Sequence, residues 1–339
     1  MKRYTFIAVL MALVCAVSCD HKELCPNHRE HAHRYHVNII ADYRYDWEEC
    51  CGGPDWRNDW PEDYIPYESL LPVKPGGLRV VNYDIDNNYN LHNISADGGV
   101  VTLYEGVNNI LFYNNDTEYI IFSRTDNSVT TRATTRTRTR ATYEPNKYGN
   151  PSEQTVTPPD MLYANYVEGY VAEKIIDPAP FEITLQPLVF TYKIRYEFEE
   201  GLEYVSQARG ALTGMAREVE LNTGETSEEC ATILFDESEI TDWGVRAFVK
   251  SFGAPAFPHP NYPTRNEAKH GLSLEILMRN GKSKTFQFDV SEQVEAQPHG
   301  GVIVVSGIRI EREDVLTGST GWEVEVDDWG EYEDVVLPL

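Results

Sequence analysis

Cys25, His28, His31, His33 and His36 stand close together near the N-terminus, with Cys50 and Cys51 downstream. Thiolate and imidazole are the ligands zinc prefers, and four of them can close a tetrahedral site. The spacing here fits no zinc template, and a polar tether needs only residues of this kind, so neither metal nor cofactor is expected. The sequence has no Gly-x-Ser-x-Gly elbow, no His-Glu-x-x-His helix and no Gly-rich phosphate loop. His92, His259, His270 and His299 are scattered and read as turn residues. Adjacent acids such as Glu199-Glu200 and Asp327-Asp328 follow from an acidic composition. In a strand such neighbours point to opposite faces, so they do not form a general acid–base pair. The reading is non-enzymatic.

Two other constellations could do work. Trp47, Trp56 and Trp60, with Tyr64 and Tyr67, lie in a Pro- and Gly-rich stretch where exposed rings could stack on sugar faces. This makes a surface glycan binder the alternative function; the plainer expectation is that the rings cover the end of a β-sandwich. The second is the basic, Thr-rich tract containing Arg132, Arg136, Arg138 and Arg140. With the prolines that follow, it offers little apolar surface to offset the entropy of ordering. The expectation is an exposed, protease-sensitive loop over residues 124–160.

The elements that would position such groups are strands. Apolar and polar residues alternate with period two at 36–43, 78–83, 99–104, 109–114, 118–123 and 161–173, separated by Gly, Asn, Asp and Pro turn chemistry. The clearest case is Phe190, Tyr192, Ile194, Tyr196 and Phe198 alternating with Thr191, Lys193, Arg195 and Glu197, which predicts one apolar and one wet face. Further strands are expected at 231–235, 244–252, 272–278, 284–290 and 302–310, with a tight turn at Arg279-Asn280-Gly281-Lys282. Asp177-Pro178-Ala179-Pro180 reads as a domain linker. An all-β protein of β-sandwich type follows.

The 339 residues suit two medium domains, and a net charge of −25 argues against nucleic acid as a partner. Lys2 and Arg3 precede an apolar run from Phe6 to Val17, too short for an ordinary transmembrane helix. It closes on Ala16-Val17-Ser18-Cys19, which resembles a bacterial lipobox. The expected organisation is a lipoprotein signal peptide at 1–18 and a lipidated tether at 19–35. An N-terminal domain at 36–176, a C-terminal domain at 180–312 and an acidic tail at 313–339 follow. Cys19 would carry the acyl (palmitate-type) anchor and hold the protein to outer-membrane lipid, exposed at the cell surface. In that oxidising location Cys25 with Cys50 or Cys51 is the expected disulfide, and Cys230 stays a thiol.

Several segments resemble the fimbrillin and fimbrial-anchor lipoproteins of Bacteroidetes, and more closely an uncharacterised lipoprotein family related to them. They are Cys19 to Cys25, Tyr204 to Met215, Phe248 to Gly253, Phe286 to Val294 and Val326 to Trp329. The likeness is firmest over 180–312. The Arg/Thr tract and the Cys50-Cys51 region have no counterpart in it. The resemblance implies two transthyretin-like (Greek-key) sandwiches in tandem, and a fimbrial subunit, anchor or adhesin. A sandwich with an open groove can pair with other fimbrial subunits by accepting a donated strand. The tail, with strand-like pieces at 322–326 and 335–339, is a candidate donor, or else packs on its own domain or stays disordered. Proteolysis after arginine, which matures related subunits, would fall within Arg132–Arg140.

Overall fold

Alternating patterns become strands because successive side chains leave opposite faces of an extended backbone. The structure, a computed structural model, describes residues 34–45, 53–256, 263–264, 267 and 269–316. It is all-β. In chain order the strands begin with β1 (Arg34–Tyr43), β2 (Gly77–Tyr83), β3 (Tyr89–Ser95), β4 (Gly98–Thr102) and β5 (Gly106–Asn114). Next come β6 (Ile120–Ser123), β7 (Arg132–Thr135), β8 (Gln154–Val156), β9 (Tyr163–Ala172), β10 (Lys174–Ile175) and β11 (Ala179–Pro187). The second half holds β12 (Phe190–Glu200), β13 (Val205–Ala216), β14 (Glu218–Glu220), β15 (Cys230–Phe235) and β16 (Ser238–Ile240). It ends with β17 (Gly244–Ser251), β18 (Gly271–Met278), β19 (Ser283–Asp289) and β20 (Gly301–Arg309). Helices are short: α1 (Trp56–Asp59), α2 (Tyr67–Leu70), α3 (Ser291–Ala296) and α4 (Arg312–Leu316). Among the described residues no helix is long and apolar enough to cross a membrane.

In the first half, pairing runs β1-β11-β9-β5-β2-β3-β4 and returns to β1, with β10 on the margin. β1 meets β11 in parallel from Val37↔Ala179 to Tyr43↔Leu185 and β4 antiparallel from His36↔Thr102 to Ile40↔Gly98. Closure needs Gly98: its φ is +121°, and a Cβ there would lie 1.9 Å from the Ile39 carbonyl oxygen. Val37, Ile39, Leu78, Val80, Ile110, Phe112, Tyr163 and Leu185 fill the interior.

The second half stacks the sheet β16-β17-β12-β20 on the sheet β19-β18-β13-β15-β8. Tyr192, Ile194 and Tyr196 of β12 enter the core between them, as the alternation predicts, with Leu212, Leu272, Leu274, Val249 and Ile303. The Tyr196 hydroxyl donates to the Ser273 carbonyl across the core at 3.0 Å. The turn at 279–282 joins β18 to β19, with the Gly281 amide donating to the Met278 carbonyl.

A third apolar cluster lies between the halves. β2 and β5 present Val81, Tyr83, Leu111 and Tyr113 on the face away from their own core, against Ile120, Ala133, Leu188, Val219, Leu221 and Phe252. Both faces of these strands are therefore buried.

Three expectations change. The segment 177–180 is no linker, because β11 starts at Ala179 and pairs with β1 and β9; residues 180–187 belong with the first core. The outer face of β12 is not wet: Lys193 is 0% and Arg195 3% exposed. The Arg/Thr tract is not an exposed loop. Arg132–Thr135 is β7, placed between β6 and β14, and Gln154–Val156 is β8, running parallel to β15 in the second sandwich. Between them the Arg136 amide donates to the Tyr119 carbonyl, and its own carbonyl accepts from Thr157. The composition misleads because the carboxylates that neutralise these arginines lie far along the chain. Arg132 pairs with Glu218 and Glu220, and Arg138 and Arg140 with Asp236.

A protease needs several residues of extended, accessible backbone, which this tract lacks. Incubating the folded protein with an Arg-specific protease should leave the bonds after Arg132, Arg136, Arg138 and Arg140 intact until global unfolding. A first native-state cut at any of the four would contradict this placement.

Candidate functional site

What a sheet protein can contact is set by its strand edges and by the groups that cover its outer faces. β12 must alternate to build the core, so Lys193, Arg195 and Glu197 are forced outward together. On neighbouring β17, Arg246 pairs directly with Arg195 and joins them. Three cations on one patch would repel one another. Residues 56–63 of the first half cover the patch and supply the opposite charge.

Asp63, 3% exposed, accepts from Arg195 Nη1 at 2.9 Å, from Arg246 Nη1 at 2.8 Å and from Lys193 Nζ. Lys193 Nζ sits 3.4 Å from the Trp56 ring centroid, and Arg195 Cζ lies 3.6 Å from that of Trp243 and 5.1 Å from that of Trp60. Such stacking on the ring quadrupole offsets part of the lost hydration. Trp56 Nε1 donates to the Asp63 carbonyl at 3.1 Å, and Trp60 Nε1 to Glu197 Oε1 at 2.9 Å. Arg195 Nε meets the same Glu197 oxygen at 2.8 Å, and Arg246 Nη2 reaches Glu239 at 2.5 Å. Burial depresses the Lys193 ammonium to about 8, against the pull of Asp63.

The rings expected to stack on sugars are thereby engaged. Trp56 is 1% exposed and Trp60 is half-buried. They cover the outer face of the second sandwich rather than the end of the first, because the cations of β12 need them there. Trp47, Cys19, Cys25, Cys50 and Cys51 lie outside the described residues, as do His28, His31, His33 and the strand-like pieces of the tail. His36 is buried on β1, and His92 lies in β3 rather than a turn. Among the described residues no three potential metal ligands gather. Burial pushes the Cys230 thiol up to about 12, which makes it a poor nucleophile.

A second cluster has the opposite polarity. Arg140, from the first half of the sequence, inserts a guanidinium among β13, β15 and β18. It donates to Asp236 at 2.7 Å and to the carbonyls of Gly210 and Phe235 at 3.2 and 3.1 Å. Glu275 lies 3.7 Å away and takes both arms of Arg209 at 2.9 and 2.8 Å. Asn146 and Glu153 continue the seam, Asn146 donating to Ser273 Oγ and Glu153 accepting from the Gly214 amide, each at 2.9 Å.

Sheet edges are closed selectively. On the free side of β20, Gln297 accepts from the Val302 amide at 2.7 Å and donates to its carbonyl at 2.9 Å. Gln293 does the same for Val304 at 2.8 and 2.9 Å. Four residues of helix rise about 6 Å and two of strand about 6.6 Å, so the two side-chain amides match the ladder as a neighbouring strand would. Gly301 makes room: its φ is +144°, and a Cβ there would lie 2.0 Å from Gln297 Oε1. β8 covers β15, and β16 is short. The seven-residue edge of β19, beyond β18, has no strand beside it among the described residues.

Comparison with known proteins places this architecture. Residues 68–236, from α2 through β15, match a family described as a domain of unknown function, DUF5119. The fold is shared with the crystal structure of a candidate adhesin from Bacteroides ovatus, with a TM-score of 0.56 at 18% identity over 84% of this chain and 96% of that one. The fimbrial anchor protein Mfa2 from Porphyromonas gingivalis aligns with a TM-score of 0.42 at 11% identity, over 80% of this chain and 90% of that one. No curated protein matches the sequence.

The sequence reading missed Asp63, Arg246, Gln293 and Gln297. A signal for the first two existed: Lys193 and Arg195 on successive outward positions of a central strand demand a buried counter-charge. Asp63→Asn leaves three cations without their shared carboxylate and should cost about 3–5 kcal/mol, whereas Lys193→Met leaves Asp63 with both arginines and should cost far less. Because the Lys193 value falls from 10.5 to about 8 on folding, the unfolded chain binds more protons between those limits. Stability should therefore rise with pH across that window in the wild type and lose that rise in Lys193→Met. Denaturant titrations at several pH values check both; equal costs for the two substitutions would contradict the assignment.

Proposed function

We propose that this protein is a non-catalytic cell-surface lipoprotein, a fimbrillin-like subunit or anchor that joins other β-sandwich subunits. The fold shared with a candidate adhesin over nearly that whole chain supports the reading. So do the lipobox-like Ala16-Val17-Ser18-Cys19 and the sequence likeness to fimbrillin and anchor lipoproteins. In this reading the two packed units correspond to tandem transthyretin-like sandwiches. Cys19 carries the acyl anchor in the outer membrane, and Cys25 pairs with Cys50 or Cys51.

The observation that carries the assembly role is the contrast between edges. β20 is sealed by glutamine amides and part of β15 by β8, while β19 presents Ser283–Asp289 with no strand on its outer side among the described residues. An edge of that length accepts a strand from another subunit through main-chain hydrogen bonds. α4 holds the start of the tail beside it, with Asn280 Nδ2 donating to the Val315 carbonyl at 3.0 Å and Lys284 paired to Asp314.

A photocrosslinking residue at exposed Thr285 on β19, in native membranes, should capture other surface β-sandwich subunits, and one at exposed Glu168 on β9 should not. Cys19→Ala should move the protein out of the membrane fraction. Equal capture at both positions, or capture at neither, contradicts the assembly role; unchanged fractionation contradicts the anchor.

A further inference from the structure

Where the two halves meet, a cleft of about 370 Å³ opens between the segment preceding β9 and the strands β15 and β17. Its size falls at the lower end of small-ligand pockets, roughly 300–1,000 Å³. The first half contributes Tyr119, Arg138, and Pro158 to Asp160; the second contributes Phe235, Asp236, Glu237, Phe248 and Lys250. From this arrangement we infer a binding site for a short neutral oligosaccharide, an activity beyond assembly that does not depend on it.

Three features select that ligand class. The first is the mixture of ring faces and fixed polar groups. Tyr119 and Phe248 are half-buried, so each keeps ring surface toward solvent, and Pro158 extends the apolar wall. Sugar rings present apolar C–H faces and a rim of hydroxyls, and aromatic faces meet the former. The rim needs donors and acceptors held in place. Asp160 is pinned by the amides of Glu118 and Tyr119, both to Oδ2, at 2.8 and 2.6 Å. Arg138 is pinned by the Leu234 carbonyl at 3.3 Å and by its ion pair with Asp236. Groups already ordered lose little entropy when a ligand arrives.

The second feature is charge. Two cations, Arg138 and Lys250, stand among three carboxylates, Asp160, Asp236 and Glu237, in a chain of net charge −25. An anionic ligand would be repelled, and a cation would find Asp160 already held by two amides and Asp236 by Arg138. A neutral polyol suits both signs at once.

The third feature disfavours a peptide. An extended peptide gains affinity by adding to a sheet edge. The strands that line the cleft are covered along part of their length, β15 at Ala231–Ile233 by β8 and β17 at Val245–Ala247 by β16, and beyond β8 the Leu234 and Phe235 carbonyls already accept from Arg138 and Arg140. Pro158 and Pro159 offer no amide, and the Thr157 amide is spent on the Arg136 carbonyl. A peptide would find only the short Phe248–Ser251 stretch of β17 to join.

Saturation-transfer NMR and calorimetry of the full chain with maltotriose, cellotriose, mannotriose and chitotriose test the site. At least one should bind at millimolar concentration or better. Phe248→Leu and Lys250→Gln, which change cleft-facing side chains of β17 outside the core, should each weaken it about tenfold with unchanged Tm. No binding by any of the four, binding untouched by both variants, or binding of a proline-rich peptide in place of the sugars would overturn the inference. Crosslinking at Thr285 reads a different face, so the sugar site and the assembly role can fail separately.

Discussion

A charge taken out of water must meet its opposite, and in this protein the opposites lie in different halves of the chain. Asp63 of the first half is surrounded by Lys193, Arg195 and Arg246 of the second. Arg138 and Arg140 of the first half are answered by Asp236 and Glu275 of the second. Neither half is electrostatically complete alone. Removing one partner of such a pair costs about 3–5 kcal/mol, because the other is left buried and bare. The apolar cluster of Tyr83, Tyr113, Leu188, Val219 and Phe252 closes the same seam. The two halves are thus one folding unit with two cores and a third between them.

This weld governs what surface remains for contact. β8, drawn from the first half, completes a sheet of the second, and β7 pairs with β14 of the second half; both use edges that would otherwise be open. The first sheet closes on itself, and Gln293 and Gln297 imitate a strand along β20. Edge pairing is non-specific by nature, so a protein that must accept one partner needs its other edges covered. The cleft beside Phe248 and Tyr119 exists only because the halves are locked in register.

Much of the architecture was legible in period two. The strands around Val80, Phe112, Ile194, Val249, Leu274 and Ile303 sit where alternation puts them, because one face had to be apolar. What covers the other face is a long-range fact that periodicity does not carry. Lys193 and Arg195 read as a wet face, yet Asp63, 130 positions from Lys193, buries them. Arg140 reads as loop chemistry until Asp236, 96 positions on, is seen beside it. Composition measures local cost, and the compensation here is distant. The same reason hid the sheet-forming role of Ala179–Pro187, whose prolines suggest a linker but whose partner is β1. The tryptophans stand out as a cluster in the sequence, and only the fold shows that the Lys193 ammonium covers the Trp56 ring.

The central claim is that the halves unfold together. Differential scanning calorimetry of the full chain tests it most directly. A welded molecule gives a single transition whose calorimetric and van't Hoff enthalpies agree. Two resolved transitions, or a calorimetric enthalpy well above the van't Hoff value, would mean that each half stands alone and that the crossed charge clusters do not bind them.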